Sequence, residues 1–174
     1  MTLVTTNRVV LAGEYKGTLD SKEVEDAVRE VIQHIGYEQS GFDWRTVEVT
    51  NLLHGQSADI ARGTDTFGAG DQGLMFGYAC DETPQLMPLA ITLCNEILEK
   101  MSRARKSGEM PYLKPDARIE VTVRYEYGKP CAAHMIMVYT QHDETIDKQK
   151  IQVAIEDQIV SPVLEKYFKT GAAM

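Results

Sequence analysis

The sequence predicts an α+β fold: two-layer units of mostly antiparallel sheet with helices on one face. Three observations predict it. Segments 21–35 and 86–105 carry apolar residues at helical spacing. Segments 117–126 and 131–140 alternate apolar and polar residues on either side of Tyr127-Gly128-Lys129, the pattern of a hairpin. A further apolar series, Ile151, Ile155 and Ile159, recurs every fourth residue.

Taken in order, residues 3–12 read as a strand, with Leu3, Val4, Val9, Val10 and Leu11, before Gly13 punctuates the chain. Asp20 followed by Glu23 resembles a capping box. Val24, Val28, Val31, Ile32 and Ile35 then mark a helix over 21–35 with one buried face, closed by Gly36. Residues 46–53 read as a second strand. The glycine- and aspartate-rich run 54–73 is long for a connection within a compact domain, and such loops are functional or disordered. Leu74 to Cys80 reads as a third strand. The helix over 86–105 has Leu86, Ala90, Leu93, Cys94, Ile97, Leu98, Met101 and Ala104 on one stripe. Pro88 suits its first turn and Gly108 lies just past its end. Ile119, Val121, Val123 and Tyr125 face inward on the first hairpin strand, and Met135 and Met137 read as core on the second. A third helix spans 147–161, and Pro162 ends or kinks it.

The chain has 174 residues, 18 Lys plus Arg against 26 Asp plus Glu, and a net charge of −8. That length holds one large domain or two small ones and buries a core without staples. The acidic balance argues against nucleic acid as a partner, since phosphate neutralisation needs clustered cations. No apolar run approaches the roughly 18 residues of a membrane helix, and Thr5, Thr6, Asn7 and Arg8 interrupt any signal-peptide core. Cys80, Cys94 and Cys131 form no CxxC pair, so a disulfide framework and a structural zinc site are not expected. A reducing, cytoplasmic setting follows. His34, His54, His134 and His142 show no metal-ligand spacing.

The candidates for chemistry are few. Gly68-Ala69-Gly70-Asp71-Gln72-Gly73 has three glycines in six positions, which lets the backbone approach a ligand while Asp71 meets an ammonium group. The same run also suits a tight turn before a strand. It is not a P-loop, because no Gly-Lys-Ser/Thr follows. Glu14 follows a strand-ending glycine and either lines a cleft or is solvated. His54 opens the long loop as a base or as an ordinary polar residue. Asp116 and Arg118 are an exposed ion pair or a polar pair oriented for a nucleoside. No Ser-His-Asp or Cys-His arrangement is present.

GAGDQGLMFGYACDET, residues 68–83, resembles the signature of the S-adenosylmethionine synthetases (methionine adenosyltransferases). VVLAGEY at 9–15, HGQSADIARG at 54–63, LMPLAI at 86–91, LKPDAR at 113–118 and TQHDETID at 140–147 are similar to family segments in family order. The resemblance implies a transferase that joins ATP and L-methionine. The methionine sulfur attacks C5′ of the ribose and expels the triphosphate, which is then hydrolysed to phosphate and diphosphate. Sulfur needs no activating base, so catalysis would rest on alignment and on stabilising the leaving triphosphate.

By this resemblance Glu14, Gln56 and Asp71 contact methionine, Asp71 through its ammonium group. Asp116, Ala117 and Arg118 contact the ATP nucleoside. The family usually has Lys where Arg118 stands, which keeps the charge and changes the fork geometry. Magnesium (Mg2+) and potassium (K+) are implied as cofactors. The family's Gly-His-Pro-Asp-Lys motif would precede the strand of Glu14, its potassium-binding glutamate would fall at Met1, and its Gly-Gly-Gly-Ala-Phe-Ser-Gly-Lys-Asp segment would follow Met174. These groups are absent from the sequence, so no metal ligand is assigned in it. The expected organisation is a partial N-terminal unit at 1–53, a mobile gating loop at 54–67, a central unit at 68–170 and a tail at 171–174. The resemblance thus implies a chain that works with complementary polypeptide, as a homo-oligomer or a hetero-oligomer. The alternative is a non-catalytic ligand-binding or regulatory subunit of the same family.

Overall fold

The computed structural model describes residues 1–58, 62, 68 and 74–168. The chain divides into two compact units, Met1–Phe76 and Gly77–Met174. Both combine helices with small sheets, as an α+β class requires. Among the described residues no helix is long and apolar enough to cross a membrane.

The first unit holds β1 (Thr2–Thr5), β2 (Arg8–Tyr15), α1 (Ser21–Ile35), β3 (Glu38–Gln39), β4 (Phe42–Asp43) and β5 (Glu48–Gly55). The single strand expected over 3–12 is two, because the chain reverses at Thr6-Asn7. Asn7 has φ 48°, a left-handed conformation asparagine tolerates, and its side chain donates to the Thr46 carbonyl. The three-stranded sheet has the order β1-β2-β5. β2 and β5 run parallel, with α1 in the connection between them.

Asp20 caps α1 by accepting from the backbone N–H groups of Lys22 and Glu23, and Gly36 ends it at φ 101°. The helix buries less than its apolar spacing suggests. Ile32 is buried and Val28 packs beside it against Val9, Leu11, Val47 and Val49, whereas Val31 is 59% exposed. A three-stranded sheet is too narrow to cover the whole stripe. Arg29 fixes the helix instead, donating to the carbonyls of Trp44 at 2.7 Å and Val47 at 3.0 Å.

Leu74 to Cys80 forms no strand. Leu74, Met75 and Phe76 are at least 80% exposed. Their β-propensity finds no ladder to join, and a strand exists only through paired backbone groups.

The second unit holds α2 (Leu89–Ser107), β6 (Leu113–Glu126), β7 (Lys129–His142), α3 (Lys148–Ile155), a π-helical turn (Glu156–Val160) and α4 (Ser161–Tyr167). The predicted hairpin is present as the antiparallel pair β6–β7, turning at Tyr127 and Gly128 with φ 51° and 77°. Leu89, Leu93, Ile97, Met101 and Ala104 of α2 form the core with Ile119, Ile151, Ile155 and Ile159. α2 starts three residues later than its apolar stripe suggests. Leu86 has φ 58° and lies in the preceding turn. Glu82 accepts from the Leu89 N–H at 2.8 Å, supplying the N-terminal cap that Pro88 cannot.

Met135 and Met137 are not core. Ile136 and Val138 face the helices, and Met135 is 43% exposed on the other side of the hairpin. Pro162 does not end the third helix. The Ser161 N–H reaches back to the Glu156 carbonyl across the π turn, and Pro162 lies in the first turn of α4, where its missing N–H costs little.

Candidate functional site

In the first unit the candidate residues Glu14, His54 and Gln56 gather at one end of the parallel pair. The register sets Glu14 against His54 and Tyr15 against Gly55. Register partners on neighbouring strands project to the same face, so Glu14 and His54 stand side by side. Val9, Leu11 and Val49, one residue out of phase, face α1. The carboxylate of Glu14 is therefore on the face away from the helix, where it is exposed. The Gln56 N–H donates to the Tyr15 carbonyl at 2.9 Å. That bond carries the pairing one residue beyond β5 and fixes where the long loop leaves the sheet. His54 places its Nδ1 3.2 Å from the Gly55 carbonyl.

Of the sequence-predicted residues in this unit, the structure thus brings Glu14 and Gln56 to adjacent strand ends. Asp71, the predicted ammonium partner, lies outside the described residues, as does most of the loop expected at 54–67.

In the second unit Asp116, Ala117 and Arg118 lie near the start of β6. The ladder with β7 is irregular between Leu113 and Ala117, and Pro115, with no N–H to donate, stands in that stretch. Ala117 pairs with Thr140 and Arg118 with Tyr139. Asp116 is exposed. Arg118 makes an ion pair with Glu120 at 2.6 Å, and its Cζ lies 4.5 Å from the centre of the Tyr139 ring. A planar cation is thus held against an aromatic face, with a carboxylate two residues along the same strand. At the same end of the hairpin, just past β7, Asp143 accepts from the Thr145 backbone and hydroxyl, and these bonds hold its carboxyl below the usual range.

Sequence reasoning missed Tyr139 and Glu120. Period-two alternation puts Glu120 on the face of Arg118 and could have found it. Tyr139 could not be found that way. An unbroken ladder from the Glu126–Lys129 pair would set Met137 opposite Arg118, and register shifts at Thr122/Val123 and Arg124/Tyr125 move the partner to Tyr139. Among the described residues no three His, Cys, Asp or Glu side chains converge as a metal site.

A two-unit α+β chain with an exposed carboxylate near the end of a parallel strand and a stacked cation on a hairpin matches one family in two consecutive parts. The family model for the S-adenosylmethionine synthetase N-terminal domain covers residues 1–58, and that for the central domain covers residues 66–173. The chain belongs to the S-adenosylmethionine synthetase family, whose members are methionine adenosyltransferases. It is 46% identical over 177 residues to an S-adenosylmethionine synthase of Maricaulis maris, covering 98% of this chain and 44% of that protein. With an S-adenosylmethionine synthase of Erythrobacter litoralis the identity is 44% over 190 residues, covering 98% of this chain and 47% of the relative. With one of Rhodospirillum centenum it is 47% over 167 residues, covering 91% and 43%. The chain spans a little under half the length of these curated relatives.

Proposed function

We propose that this chain carries the methionine-binding and nucleoside-binding side of an S-adenosylmethionine synthetase. The observation that carries the reading is the placement of Glu14 and Gln56 at neighbouring ends of β2 and β5, joined through the Gln56–Tyr15 backbone bond. In this reading the Glu14 carboxylate and the Gln56 amide orient L-methionine, and Asp71 meets its ammonium group. Asp116, Ala117 and Arg118 contact the nucleotide. Arg118 supplies a fixed positive charge that does not titrate at physiological pH.

The reaction is S-adenosyl transfer. The sulfur forms a bond to C5′, and the bond from C5′ to the triphosphate oxygen breaks. The contribution of these residues is alignment of sulfur and carbon. Groups that hold the triphosphate, and the magnesium and potassium ions the family implies, come from polypeptide outside residues 1–174, whether continuous with it or separate. Assembly with that polypeptide, or with a second copy, completes the site. Residues 1–53 and 68–170 serve as the partial N-terminal and central units around a gating loop at 54–67. The acidic surface and unpaired thiols Cys80, Cys94 and Cys131 suit the cytoplasm.

Equilibrium binding tests the reading. Calorimetric titration of the chain with L-methionine and with ATP should give saturable binding of each, with methionine binding weakened by Glu14→Gln and ATP binding by Arg118→Ala. Absence of binding by both ligands contradicts it.

A further inference from the structure

We propose that Tyr139 is a positioning residue for nucleotide binding: its ring and the Glu120 carboxylate together hold the Arg118 guanidinium as an oriented fork. This rests on the reading of Asp116–Arg118 as the nucleotide-contacting segment.

Arg118, Glu120 and Tyr139 do little for the fold. Arg118 and Tyr139 are exposed, and neither contributes to the core beneath the hairpin. An exposed ion pair such as Arg118–Glu120 adds little to stability. What the arrangement supplies is orientation. A guanidinium is planar and stacks on an aromatic face, so the Tyr139 ring at 4.5 Å restricts the plane of the fork. Glu120 engages Nη2 and restricts rotation within that plane. The ring itself is tied by its hydroxyl, which lies 3.4 Å from the Met137 sulfur. The hairpin spends two register shifts before this point, and they put Tyr139 rather than Met137 across from Arg118. An ammonium group at position 118 would be a point charge on a free stem and would gain no such plane. The arginine and the aromatic ring therefore act as a unit. Ordering the side chain before the ligand arrives removes an entropic cost from binding.

The test is a double-mutant cycle on ATP binding to the whole chain, read by calorimetry, with Tyr139→Phe, Tyr139→Leu, Arg118→Lys and the Arg118→Lys/Tyr139→Leu pair. Tyr139→Phe should stay within about two-fold of the parent, because the ring remains. Tyr139→Leu should weaken binding about two- to five-fold, the scale of an exposed cation–π contact. In the Arg118→Lys background Tyr139→Leu should add no more than a small fraction of that loss. Full affinity in Tyr139→Leu, or an undiminished loss in the Arg118→Lys background, overturns the proposal. The Arg118 Nε–H resonance separates this from failure of the nucleotide reading. It should carry a ring-current shift that Tyr139→Leu removes. If that shift is present and no protein in the set binds ATP, the nucleotide reading fails and the positioning role with it. If the shift is absent, the stacked contact itself is wrong.

Discussion

The backbone N–H of Gln56 donates to the carbonyl oxygen of Tyr15 at 2.9 Å, which ties the first residue after β5 to the last residue of β2. Through that bond a glutamine from one strand end and Glu14 from the other share a rim, although more than forty positions separate them in sequence. A parallel pair makes this possible, because both strands end on the same side of the sheet.

Glu14 is the sharpest substitution at that rim. Glu14→Gln keeps size and polarity and removes the charge. A hydrogen bond to a charged group contributes about 1.5–3 kcal/mol, so L-methionine binding should weaken about ten-fold or more. The residue is exposed and outside the core, so the melting temperature should be unchanged. Calorimetric titration beside a thermal melt checks both halves.

Arg29 should matter to the fold rather than to binding. Its guanidinium satisfies the Trp44 and Val47 carbonyls and also binds Glu25 at 2.6 Å. Arg29→Ala leaves these acceptors to find water and should cost about 1–3 kcal/mol in urea unfolding of the first unit. An unchanged midpoint would show that α1 is held by Ile32 and Val28 alone.

Leu93 lies at the centre of the larger core and is fully buried. Leu93→Ala should destabilise the second unit by about 2–5 kcal/mol, because the lost transfer energy adds to a cavity that the helices cannot close. Chemical denaturation monitored by circular dichroism reads this directly.

A pH dependence follows from Glu96, which accepts from Lys166 at 2.6 Å and from the Tyr167 hydroxyl. Partial burial pushes its carboxyl up, but the bonds from Lys166 and Tyr167 outweigh that and hold it below the ordinary 4.5. Lys166 is raised above its ordinary 10.5, first by the hydrogen bond to Glu96. The depressed carboxylate stabilises the fold above its unfolded pKa, and that contribution fades as pH falls through the folded value. The raised ammonium contributes below 10.5 and fades as pH rises through its folded value. Stability from this contact should therefore plateau between about 4.5 and 10.5. Glu96→Gln should flatten the acid-side fall in melting temperature, and an identical acid profile in parent and variant would contradict the assignment.

Much of the architecture was legible because it follows short-range rules. Asp20, Gly36 and Gly108 mark helix ends by cap chemistry, and Ile151, Ile155 and Ile159 mark a buried face by spacing. The hairpin turn at Tyr127-Gly128 was legible for the same reason. With Glu126 opposite Lys129, counting from that turn already places Met135 and Met137 on the face of Arg118, so their place outside the core was within reach of the sequence. The turn at Asn7 was hidden because β-branched residues on both sides imitate one long strand. The π turn before Pro162 leaves no spacing signal, since Ile155 and Ile159 are buried on either side of its start. Among the candidate site residues, position near strand ends singled out Glu14, Asp116 and Arg118 with two readings each, whereas Gln56 and the choice between those readings came only through the family resemblance. The same count from the turn puts Tyr139 on the face of Arg118, but not as its direct partner, because the two register shifts decide that pairing.

The most direct test of the central claim is mass-spectrometric detection of S-adenosylmethionine after incubating residues 1–174 with ATP, L-methionine, magnesium and potassium. It is run alone and again with a polypeptide carrying the His-Pro-Asp-Lys and triple-glycine segments. The chain alone should give no product, and product should appear once that polypeptide is added and be abolished by Glu14→Gln. Sustained turnover by residues 1–174 alone, free of full-length enzyme, would contradict the claim, because residues within this chain would then have to hold the triphosphate.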